Sequence, residues 1–169
     1  MKGLSTPKLK MGLFAILLCL LWPQASHSAD PSALFSVGTK YLREGRMQDA
    51  ITALSQAIDL KPDFAEAYIN RGIAYYMNEN YPEAEEDFLA VLEIRPEDQK
   101  ANNNLAVVYY RLERYEEAAV YLDRALEGVH HNDPSYEDIH VNREGVVKAG
   151  RQPAGPWGQR SVQLKFYER

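Results

Sequence analysis

Asn70 and Asn104 stand 34 residues apart, and so do Tyr76 and Tyr110. An amide side chain carries both a donor and an acceptor, so a column of asparagines can pair with the main chain of a bound peptide whatever its sequence. Tyrosines beside that column would pack against the peptide's side chains, as interface aromatics do. The chemistry these residues suit is recognition. A second set, His130, His131, Glu137, His140 and Glu144, invites a test as a metal site, since His140 and Glu144 share one helix face. Its spacing matches no zinc motif, so neither a metal nor any other cofactor is expected. The chain has no Gly-rich phosphate loop, no Gly-x-Ser-x-Gly elbow and no paired catalytic carboxylate motif, and it reads as non-enzymatic. The acidic run Glu83, Glu85, Glu86 and Asp87 reads as a solvated helix face.

The elements that position the amides repeat with them. Gly38, Gly72 and Ala106 recur at the same spacing, as do Tyr41, Tyr75 and Tyr109, then Ala50, Ala84 and Ala118, then Leu54, Phe88 and Leu122. Several positions in register mean an internal repeat. Within each unit two apolar stripes at helical spacing flank a turn, at Gly45 in the first and at 78–80 in the second. Small residues at 38, 72 and 106 mark where the two helices of a pair come closest. Asp30-Pro31 and Asp133-Pro134 read as a cap followed by the first helical residue. Asp63 to Glu66 reads as a capping box, and Pro62 and Pro96 close their units. The fold expected is all-α: a helical-hairpin solenoid of three repeats over 31–64, 65–98 and 99–132, with a capping helix over 133–149.

Lys2, Lys8 and Lys10 precede an apolar run from Met11 to Trp22, then Pro23 and small or polar residues to Ala29. That layout is a secretory signal, assigned to 1–29. Export is expected, to a periplasm or the outside, with membrane contact only if the segment is retained as an anchor. The chain carries a net charge of −5; without the three lysines, Lys+Arg falls from 19 to 16 against 24 acidic residues, a balance of −8. Nucleic acid is therefore not an expected partner, because phosphate contacts need clustered cations. The single cysteine, Cys19, lies inside the signal, so the mature chain needs no disulfide.

Tyr68, Gly72, Tyr75, Ala84, Phe88 and Pro96 stand where the tetratricopeptide repeat pattern wants an aromatic, Gly, Tyr, Ala, Phe and Pro, and the chain resembles that family from about Pro31 to Asn132. Arg71 departs from it, where Leu is usual. The resemblance implies a right-handed superhelix whose first helices line a concave groove. It places Asn70, Tyr76, Lys100, Asn103, Asn104, Tyr110 and Arg111 on that groove, with a protein or peptide as partner. The in-register asparagines are similar to the asparagine ladder of the O-linked N-acetylglucosamine transferase repeat domain. The carboxylate clamp of cochaperone members is not matched: Asn70 and Lys100 fit it, but Phe35, Thr39 and Asn104 stand where Lys, Asn and Arg are needed. The implied function is a protein-interaction scaffold, with envelope assembly as its setting.

The tail from 150 to 169 reads as flexible. Val162, Leu164 and Phe166 alternate with polar residues, as a short strand would. Trp157, Phe166 and Tyr167 motivate the alternative reading, a homo-oligomer whose tail enters its own groove or a neighbour's.

Overall fold

The computed structural model describes residues 30–127, 129–130, 132–151 and 164–165. Seven helices appear among them: α1 Pro31–Arg43, α2 Met47–Leu60, α3 Ala65–Met77, α4 Tyr81–Ile94, α5 Gln99–Arg111, α6 Tyr115–Leu126 and α7 Pro134–Arg151. The expected signal segment and the tail aromatics Trp157, Phe166 and Tyr167 lie outside the described residues.

Each helix packs most closely on its neighbours in sequence, giving the pairs α1/α2, α3/α4 and α5/α6 with α7 against α6. Next-but-one contacts occur only between odd helices: α1 with α3, α3 with α5, and α5 with α7. The even helices do not meet one another, so the stack curves with its odd helices on the inside. This is the solenoid the repeat demands, in which each unit covers its neighbour's bare face.

The close approaches fall where the small residues recur. A Cβ on Gly38 would sit 2.6 Å from Leu54 Cγ, and one on Gly72 would sit 2.9 Å from the Phe88 ring. Ala106 is fully buried at the same position of the third unit. The turns repeat too: Gly45, Glu79 and Glu113 all take left-handed backbone, with φ of 75°, 62° and 60°. Asp30 caps α1 by accepting from Ser32 N–H at 2.9 Å, and Asp133 accepts from Ser135 N–H at 2.8 Å at the head of α7.

Two expectations are corrected. The capping box at Asp63 does not form: Phe64 takes the cap position without a side-chain bond, and Glu66 pairs instead with Arg95 at 2.7 Å. The turn at 61–64 starts the helix one residue too late for the Asp63 carboxylate to reach the free N–H groups. Nor is the acidic run a solvated face. Asp87 is buried against Arg71 and Glu85 is half-buried against Arg114, at 2.6 and 3.0 Å, which leaves only Glu86 of the run exposed.

Candidate peptide-binding groove

The inner face is built by the odd helices. On α3, Asn70 Nδ2 donates to Thr39 Oγ1 of α1 at 2.8 Å, tying two inner helices together. Tyr76, in the last turn of α3, packs its ring 5.5 Å from Tyr81, and Tyr110 repeats the arrangement on α5 at 5.6 Å from Tyr115. Both therefore brace the following helix of their pair. Burial pushes the Tyr76 phenol above its ordinary value, so it stays neutral, and the Arg111 guanidinium lies 5.8 Å from its ring. Lys100 is half-buried and Arg111 exposed, at opposite ends of α5.

Every residue from Ala101 to Tyr110 is buried. Asn103, Asn104 and Tyr110 were expected on an open surface; they lie instead beneath a covered one. A helix buried all round must have a partner on its inner face as well as its outer one. Part of that partner is the chain's own tail, whose Leu164 packs on the core cluster that contains Tyr110 and Ile139.

The contact has a defined polar geometry. Asn142, a fully buried residue of α7, accepts from Lys165 N–H through Oδ1 at 2.7 Å and donates to Lys165 C=O through Nδ2 at 2.8 Å. Its Nδ2 also donates to Asn103 Oδ1 at 2.9 Å, while Asn103 Nδ2 donates to Lys165 C=O at 3.2 Å and to Asn104 Oδ1 at 3.4 Å. The three amides thus form one network. Asp138, one turn before Asn142, pairs with the Lys165 ammonium. Leu164 and Lys165 have no regular secondary structure, and the Lys165 main chain is bonded by side-chain amides and not by another strand.

Asn142 and Asp138 are the residues that sequence reasoning missed. Asn142 lies 38 residues after Asn104, one helical turn out of the repeat register, so alignment at the repeat period hides it. The available signal was an asparagine on an otherwise amphipathic capping helix. The His and Glu set does not converge: His140 stacks on Tyr136, its Nδ1 is 3.9 Å from Glu144 Oε1, and His131 lies outside the described residues. Among the described residues no three His, Cys, Asp or Glu side chains meet as metal ligands would.

Family models for the TPR repeat and the tetratricopeptide repeat match residues 38–79 and 63–129 respectively. The chain belongs to the tetratricopeptide repeat family. Solved tetratricopeptide domains share its fold. The first such domain of Spaghetti (RPAP3), bound to an HSP90 peptide, superposes with a TM-score of 0.65 at 22% identity, covering 71% of this chain and 94% of that one. The first domain of human RPAP3 gives 0.64 at 23% identity, over 70% and 91%. The TPR2B domain of yeast Sti1, from a complex with Hsp70, gives 0.65 at 23%, over 70% and 96%. No curated protein matches the sequence significantly. Among the described residues no helix is long and apolar enough to cross a membrane.

Proposed function

We propose that this tetratricopeptide protein is an exported, non-catalytic scaffold that holds an extended segment of a partner protein along its inner helices, in assembly of the cell envelope. One observation carries the recognition part: the Asn142 amide bonds both main-chain groups of a single residue, Lys165. A site that satisfies an N–H and a C=O together is a site for polypeptide. One neighbour of the same fold is bound to an HSP90 peptide and another is in a complex with Hsp70, which supports peptide recognition on this scaffold. The lysines and apolar run before Pro23 support export, to the periplasm or beyond.

Panning a display library of random unstructured peptides on the protein tests the groove. Enriched peptides should bind, and Lys100→Ala and Arg111→Ala should weaken them. Enrichment that is indifferent to both substitutions would move the site elsewhere. Cell fractionation with sequencing of the mature N-terminus tests export; a protein found only in the cytosol with Met1 intact would end that part of the proposal.

Self-assembly through the tail is the second reading, favoured by the seat that Leu164 occupies. It requires a mass that rises with concentration in light scattering, and a monomer at all concentrations removes it.

A further inference from the structure

The two described residues of the tail are held in two different ways. The main chain of Lys165 is held without regard to sequence. A single amide can satisfy both the N–H and the C=O of one residue only if the two point to the same side, as they do in an extended chain. Asn142 does this for Lys165, and Asn103 orients it by accepting the other Nδ2 hydrogen. Their side chains, by contrast, are read individually. Leu164 fills an apolar seat against the main core, and the Lys165 ammonium meets the Asp138 carboxylate. With Lys165 in place, both Asn142 N–H hydrogens and its Oδ1 are bonded. Two of those three bonds go to Lys165, so this fully buried amide loses most of its protein partners when the tail leaves.

We propose that residues 164–165 are a resident competitor. The site made by Asn103, Asp138 and Asn142 takes an extended peptide carrying an apolar residue followed by Lys or Arg, and the chain's own tail fills it until such a partner displaces it. This rests on the peptide-binding reading above and adds the partner's chemistry and its regulation. The basic preference comes from Asp138, the carboxylate that meets the Lys165 ammonium. The tail is covalently joined to α7, so its binding is intramolecular and carries the advantage of an effective concentration. A partner must overcome that competition, so releasing the tail raises its apparent affinity.

The test uses the full chain and a fluorescently labelled peptide with the sequence of residues 161–169, followed by anisotropy. The chain carrying Leu164→Ser and Lys165→Ser should bind the peptide about tenfold or more tightly than the unaltered chain does. Asp138→Lys, added to that chain, should abolish binding of this peptide and restore binding of one with Glu at the position of Lys165. Asp138 and Lys165 are both well exposed on their side chains, so the changes at these two positions spare the core. Equal affinity for the unaltered and tail-altered chains would overturn the competitor, and indifference to the charge exchange would overturn the basic preference. Panning random peptides on the tail-altered chain separates this failure from a wider one. Enrichment without an apolar–basic step would leave a peptide groove but sink this inference; no enrichment and no binding of the tail peptide would sink both.

Discussion

The Arg71 guanidinium grips the Asp87 carboxylate through two bonds, Nε to Oδ2 at 2.9 Å and Nη2 to Oδ1 at 2.6 Å. Arg71 Nη1 donates to Ser55 Oγ at 2.9 Å, so one side chain links α3 to its own partner helix and to the preceding repeat. This accounts for an arginine where the family usually has leucine: Asp87 on the facing helix supplies the countercharge.

Breaking that pair from one side should be costly. Burial pushes the Asp87 carboxyl above its ordinary value even with the guanidinium beside it, so its charge is tolerated only while paired. Arg71→Leu alone is expected to destabilise by about 3 kcal/mol, and the double change with Asp87→Leu by much less, because buried pairs replaced together by apolar groups are often neutral. Urea unfolding of the two variants checks this; equal losses would contradict it.

Gly72 stands where a methyl group would meet the flat Phe88 ring at 2.9 Å, with Asp87 Cβ at 3.3 Å. The ring is fully buried and cannot swing aside. Gly72→Ala should therefore cost about 1–3 kcal/mol despite alanine's better helix propensity, as a lowered thermal midpoint would report.

The turn residues Glu79 and Glu113 adopt φ of 62° and 60°, whereas the first unit has Gly45 at 75°. A side chain in left-handed backbone is strained by about 1–2 kcal/mol, partly offset by glycine's greater entropy loss on folding. Glu79→Gly and Glu113→Gly should each raise stability by about 0.5–1 kcal/mol in denaturant titration.

What could be read from the chain follows from what is local. The repeat period expresses burial at each position of a helix pair, and so it marks Gly38, Gly72 and Ala106 as close approaches without coordinates. It cannot show that Arg71 and Asp87 face each other, because that depends on how far each helix is rotated. The repeat register assigns Asn103, Asn104 and Tyr110 to an open groove, yet all three are buried, and part of the cover over Asn103 is non-local. It comes from a segment about sixty residues later that depends on Asn142, outside the repeat register.

Asp133 titrates at the head of the helix that holds the tail. Hydrogen bonds from the Ser135 hydroxyl and N–H hold its carboxyl below the ordinary range. A depressed folded value means the cap's stabilisation is complete above the unfolded value of about 3.9 and is lost as pH falls through the lower one. Between those two values the thermal midpoint should fall more steeply for the unaltered chain than for Asp133→Asn, which caps without titrating. Matching pH profiles would show that the cap contributes nothing there.

Coupling between amides distinguishes a working network from a row of polar residues. Asn103 and Asn142 share a hydrogen bond and both bond Lys165 C=O, so removing either side chain leaves the other's groups unpaired. In a double-mutant cycle, Asn103→Ala and Asn142→Ala should be non-additive by about 0.5–3 kcal/mol, the range for residues in one network. Asn70 serves as the control. It bonds Thr39, and its helix α3 makes no contact with α7. Asn70→Ala should cost about 1 kcal/mol by itself and add simply to Asn142→Ala. If Asn70 couples to Asn142 as strongly as Asn103 does, the inner face acts as one continuous ladder and the tail's seat is not a separate local site.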